Sequence, residues 1–142
     1  MAVKQLTAFI ENRPGKLKSM VEAISGAEVN IRAMSIADTK DFGILRIIVS
    51  DTEKAKTALS ACCMTSVIDV IAVKMTDKAG SLAEILGVLD SAGINIDYMY
   101  AFTAPADKGA YVVIRVDDNA SAEKVLSEHG IKTLTDAELE AF

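Results

Sequence analysis

Two short turns carry the residue types best suited to holding a small molecule. The first reads Glu11-Asn12-Arg13-Pro14-Gly15-Lys16-Leu17. Pro14 fixes the backbone near a predicted helix start, where its missing N–H costs nothing. Gly15 has no Cβ, so a ligand or a second backbone can approach it closely. The free amides of the helix that follows carry partial positive charge, which suits a carboxylate or a phosphate. Asn12 offers a donor and an acceptor at the rim. Fifteen residues after Gly15 comes Val29-Asn30-Ile31, at the start of a predicted strand. An amide placed there can meet an ammonium and a carboxylate together. The second turn, Thr76-Asp77-Lys78-Ala79-Gly80-Ser81-Leu82, is followed at the same spacing by Ile94-Asn95-Ile96. Either turn alone reads as a plain turn or a helix cap. Their recurrence, each with its strand asparagine, favours binding.

Other chemistry is thinly represented. His129 is the only histidine, and a lone histidine builds neither a triad nor a metal site; a structural role is expected. Cys62 and Cys63 are adjacent, a spacing that fits disulfide geometry poorly. With no secretory signal at the N-terminus, they point to a reducing cytoplasm. No Ser/His/Asp grouping, paired-acid motif, phosphate loop or CxxC is present. The expectation is therefore a non-enzyme without cofactor or metal.

Composition narrows the class further. The 142 residues are 51% apolar and 25% charged, with a net charge of −5, which excludes a bulk-basic nucleic-acid binder. Tyr98, Tyr100 and Phe102 alternate on one predicted strand, but their acidic setting does not suit RNA. No apolar run approaches the ~20 residues that span a membrane. Residues 1–71 hold nine basic and eight acidic residues, and residues 72–142 hold six and twelve. Those opposite fields are either solvated surfaces or aids to association.

The elements that must position the turns repeat themselves. A shift of 65 places Gly15 on Gly80, Leu17 on Leu82, Asn30 on Asn95 and Met34 on Met99; after an insertion near Pro105–Lys108 the shift is 67. Leu17, Met20, Val21 and Ile24 form a helical stripe, and Leu82, Ile85, Leu86 and Leu89 repeat it. Ala55, Ala58, Leu59 and Cys62 form a second stripe, matched by Ala122, Val125, Leu126 and His129. Ser50-x-x-Glu53 resembles a capping box, and Gly130 a C-cap. Strands are expected around Leu6–Ile10, Val29–Ala37, Leu45–Val49 and Thr65–Asp69, then around Val70–Thr76, Ile94–Phe102 and Val112–Val116. Short turns at Thr39–Asp41 and Ala104–Lys108 make the middle pairs hairpins. Each half then reads β-α-β-β-α-β. The fold class is α+β: two ferredoxin-like repeats, 1–70 and 71–142, with antiparallel sheets and helices on one face.

The turn ENRPGKL with VNI, and more loosely TDKAGSL with INI, resembles the ACT domains, small ligand-sensing modules of amino-acid metabolism. The resemblance covers residues 3–70 and 71–134, and the chain is similar to free-standing tandem pairs with no attached enzyme. It implies side-by-side pairing and a small effector, commonly an amino acid, held between domains. It also implies that Asn12, Gly15 and Asn30, and Asp77, Gly80 and Asn95, hold the ligand's α-amino and α-carboxylate groups. Arg13, Pro14, Lys16, Leu17 and Ile31 flank the first set, and Lys78, Ala79, Ser81, Leu82 and Ile96 the second. Ile10 and Met75 stand where some serine-sensing members carry histidine, and Asp77 has a carboxylate in place of the Asn12 amide, so the two sites are expected to be unequal. The partners implied are an amino acid, a second copy in a homodimer and a regulated enzyme in trans, with neither nucleic acid nor membrane. The alternative is a protein–protein interaction module with no small-molecule ligand.

Overall fold

The computed structural model of the chain describes residues 2–103 and 109–141. The elements are β1 (Val3–Glu11), α1 (Lys16–Gly26), β2 (Ile31–Asp38), β3 (Phe42–Val49), α2 (Thr52–Leu59), β4 (Met64–Met75), α3 (Ser81–Ser91), β5 (Tyr98–Thr103), β6 (Ala110–Arg115), α4 (Asn119–Glu128), β7 (Thr133–Leu134) and α5 (Asp136–Glu140). The chain divides into two compact units, Lys4–Ile68 and one built on Asp69–Phe142.

In the first unit β3 lies between β1 and β2, antiparallel to both. Leu6 sits opposite Ile47 and Ala8 opposite Leu45, so these alternate residues share one face. Met20 and Ile24 of α1 and Ala55 and Leu59 of α2 close over that face to form the core. In the second unit β6 lies between β4 and β5, and β7 pairs with β4. Ile71 opposite Ile114 and Val73 opposite Val112 present the matching face. Ile85 and Leu89 of α3, with Ala122 and Leu126 of α4, pack on it. The helical stripes do what their spacing predicts at most positions, but Leu82, the counterpart of the partly buried Leu17, is 36% exposed, and Cys62 and His129, the last members of the second pair of stripes, are exposed beyond the ends of α2 and α4.

Four expectations need correction. The strands expected at 65–69 and 70–76 are one continuous twelve-residue strand, β4, because no turn-forming residue separates them. β2 and β5 begin at Ile31 and Tyr98, later than expected. Val29 and Ile94 are held by the preceding helix ends: their N–H groups donate to the carbonyls of Ile24 (3.2 Å) and Leu89 (3.0 Å), after Glu28 and Gly93 at positive φ. Asp51, not Ser50, caps α2, accepting from the Lys54 amide at 3.0 Å. Finally, the stretch beyond residue 134, where the resemblance ends, forms a helix. Thr135 and Glu138 form a reciprocal capping box that opens α5. Thr135-x-x-Glu138 was a readable signal for it. Gly130, at φ +71° after the α4 C-cap, behaves as expected. The turn expected at Ala104–Lys108, with its insertion, lies outside the described residues.

Candidate ligand-binding site

The two glycine turns share three backbone hydrogen bonds. The Arg13 and Lys78 amides donate to the Glu11 and Thr76 carbonyls, both at 2.9 Å. Lys16 and Ser81 donate to the Arg13 and Lys78 carbonyls, both at 3.3 Å, and Ser19 and Glu84 donate to the Gly15 and Gly80 carbonyls, both at 3.0 Å. Gly15 (φ 85°, ψ −14°) and Gly80 (φ 91°, ψ −16°) are the N-caps of α1 and α3 in the left-handed region. A Cβ on either would meet nothing within 4 Å, so glycine is required here by backbone conformation rather than by crowding. Pro14 stands one residue before the N-cap, near the helix start.

Neither α1 nor α3 has a side-chain cap. By contrast, Asp51 and Asp118 cap α2 and α4. Asn12 is thus exposed and not a cap, although its backbone N–H donates to the Asp41 carbonyl at 3.2 Å. The Lys16 and Ser81 amides are engaged by the turn carbonyls, which leaves those of Leu17 and Lys18, and of Leu82 and Ala83, to meet an oxyanion.

The strand asparagines lie elsewhere. Asn30 precedes β2 by one residue, and its N–H donates to Ser50 Oγ at 2.9 Å while Ser50 N–H donates to the Asn30 carbonyl at 2.9 Å. Asn95 precedes β5 by three residues, and its side chain donates to Asp97 Oδ1 at 3.4 Å. Asp41 and Ser50 flank β3, whose eight residues span roughly 27 Å at ~3.4 Å each. Within one unit the turn and the asparagine are therefore at opposite ends. The structure brings Asn12, Arg13, Pro14, Gly15 and Lys16 together, and likewise Asp77, Lys78, Ala79, Gly80 and Ser81, but does not add Asn30 or Asn95 to them. Leu17 and Ile31 pack against the first core and Ile96 against the second.

Each unit also has a cavity behind its turn, which the sequence reading missed. In the second unit it is about 650 Å³, with Lys74, Asp77, Lys78, Ser81, Glu84, Gly109, His129 and Lys132 in its lining. In the first it is about 270 Å³ and includes Phe9, Lys16, Phe42, Cys62 and Met64. Cys62 and His129, residues at matching positions, line matching cavities. Their recurrence under the 67-residue shift was the one signal in the sequence. Cys62 and Cys63 are both free thiols. Among the described residues no cluster of His, Cys, Asp and Glu could hold a metal ion, and no helix is long and apolar enough to cross a membrane.

The fold has known counterparts. Protein BT0572 from Bacteroides thetaiotaomicron is 36% identical, with a TM-score of 0.92 over 100% of this chain and 98% of that one. The regulatory subunit of aspartate kinase from Thermus thermophilus, in its ligand-free form, is 14% identical, with a TM-score of 0.63 over 88% and 91% of the two chains. The Thermus flavus subunit is 13% identical, with a TM-score of 0.61 over 90% and 93%. A search of curated proteins found no match. Residues 1–142 match the ACT domain pair over their whole length, each of the two units carries the glycine turn, and the chain belongs to that family.

Proposed function

We propose that this protein is a non-catalytic regulator that binds a small amino acid and reports its level. One observation carries the reading: both units open an uncapped helix with a left-handed glycine, held by the same three backbone hydrogen bonds. The ligand carboxylate meets the amides after Gly15 or Gly80, and its ammonium meets Asn30 or Asn95. Because turn and asparagine lie at opposite ends of a unit, such a ligand bridges two ACT units. Residues 1–70 and 71–142 serve as the repeats, and a second copy in a homodimer supplies further units. Bridging stabilises one arrangement and so shifts populations toward a surface that a regulated enzyme in trans reads, in the cytoplasm. Regulatory subunits of aspartate kinase share this fold, which supports a regulatory role.

The test is thermal unfolding of the chain with each of the twenty amino acids. A ligand at ~100 times its Kd adds about 2.7 kcal/mol, or several degrees. One or two amino acids should raise Tm while the rest do not. Asn30→Ala and Asn95→Ala should each weaken binding by about 1–3 kcal/mol at an occupied site. Unchanged affinity in both sinks the assignment of the asparagines. A second reading, an interaction module with no small ligand, draws on Phe9, Phe42 and Met64, which are 45%, 58% and 79% exposed. It would be favoured if no amino acid moved Tm and the Phe42→Ser variant lost a protein partner.

A further inference from the structure

We propose that the cavity of the first unit binds a soft monovalent metal ion, copper(I) or its analogue silver(I), through the sulfurs of Cys62, Met20 and Met64. Three elements bring these side chains together: Met20 belongs to α1, Cys62 follows α2 and Met64 opens β4. All three line the same space of about 270 Å³. Cys62 and Met64 are exposed and offer an ion a way in, whereas Met20 is buried in the core. The methionines are unbranched and can turn their sulfurs toward an ion that the cysteine has captured.

The repeat supplies an internal control. Under the shifts of 65 and 67 residues, Met20, Cys62 and Met64 fall on Ile85, His129 and Ile131, and those three line the cavity of the second unit. Isoleucine fills both methionine positions there, so packing does not demand sulfur at either. Cys63, beside the site, falls on Gly130. The sulfur is thus confined to one of two cavities built on the same plan.

The donor set selects the ion. Thiolate and thioether sulfurs are soft, polarisable ligands that suit copper(I) and not magnesium, calcium or manganese. A structural zinc site takes four nitrogen, thiolate or carboxylate ligands. Among the described residues no cluster of His, Cys, Asp and Glu could hold a metal ion. Charge then fixes the valence. Glu11 and Lys16 offset each other in the lining, and Phe9, Ile10 and Phe42 make much of the rest apolar. One thiolate cancels the charge of a monovalent ion, while a divalent ion would keep an uncompensated charge against apolar walls. The Cys62 thiol donates to the Leu59 carbonyl at 3.3 Å. On binding, the S–H bond breaks, a sulfur–metal bond forms, the proton leaves to solvent and no electron is transferred.

The experiment is anaerobic titration of the full chain with copper(I), supplied as its acetonitrile complex against a colorimetric copper(I) chelator. A parallel titration uses silver(I) nitrate in chloride-free buffer. One ion per chain should bind, and zinc(II) should not displace it. X-ray absorption at the copper edge should find more than one sulfur neighbour. Cys62→Ser should lose the ion. The double variant Met20→Ile, Met64→Ile carries the second unit's residues and should fold, as far-UV circular dichroism checks, yet hold the ion more weakly. Met64→Ile alone, at an exposed position, should show part of that loss, and it decides the matter if the double variant does not fold. Met34→Leu, at an exposed methionine outside the cavity, should change nothing. The proposal is overturned if neither ion binds, if zinc(II) displaces copper(I), or if copper has a single sulfur neighbour. Undiminished affinity in the folded methionine variants would show capture by a bare thiol only, and would overturn it too.

Discussion

At the scale of single residues, glycine and cysteine make the sharpest predictions. Gly15 and Gly80 hold φ values of 85° and 91° with open space where a Cβ would go. Alanine at either position should cost about 1–2 kcal/mol from backbone strain alone, and asparagine, which tolerates that region, should cost less. Urea unfolding of the four variants checks the order; equal losses for alanine and asparagine would mean that side-chain space, not φ, is the constraint. The Cys63 thiol is pushed up from 9.0 to about 11, first by burial and then by the neighbouring Cys62. Raised in the folded state, it favours folding below pH 9 and loses that contribution as the pH rises toward 11. Iodoacetamide near pH 8 should therefore modify exposed Cys62 before Cys63, as peptide mass spectrometry after short exposures would read. Equal rates would contradict the raised value.

At the scale of elements, the caps separate structural ends from binding ends. Asp51→Ala removes the acceptor for the Lys54 amide and should cost about 1 kcal/mol. Asn12→Ala removes no cap and should stay within about 0.5 kcal/mol in the same unfolding assay. A large loss from Asn12→Ala would make the first turn structural after all. Helix α5 depends on its capping box. The Glu138 carboxyl is held below the ordinary value of 4.5 by its hydrogen bond to Lys132, then by the Thr135 amide. A lowered carboxylate value contributes stability above 4.5, and that contribution is lost as the pH falls through the lowered value. Glu138→Gln should therefore lower Tm at neutral pH, and its difference from the parent chain should vanish in acid. A constant difference across the pH range would show that the ionised carboxylate is not what matters.

At the scale of the whole molecule, each unit has a core of its own, and β4 belongs to both with no linker inside it. Leu45 and Ile114 are 0% and 1% exposed, one in each core. Leu45→Ala and Ile114→Ala should each cost about 2–5 kcal/mol through the cavity they leave. Because β4 is continuous, strain in one core should pass along it, and scanning calorimetry should show one transition in the parent chain. Two resolved peaks, with each variant moving only its own, would show that the strand does not couple the cores.

The repeat, the helical stripes, the alternation of strands and the two glycine turns are all legible in the order of residues. All of these rest on periodicity and on residue conformation, which are local properties. Leu6, Leu45 and Ile24 meet in one core because a period of two and a period of 3.6 each mark one face. Local pattern was weaker at boundaries. Val29 and Ile94 read as strand by side chain, but bonds back to the helix ends hold them outside it. That the turn and the asparagine of the first repeat stand at opposite ends of β3 follows from the folded chain. It alone showed that a cavity lies beside each turn, about 650 Å³ in the second unit and about 270 Å³ in the first. Those facts depend on which distant segments face each other, and a chain fixes such distances only once its sheet has closed.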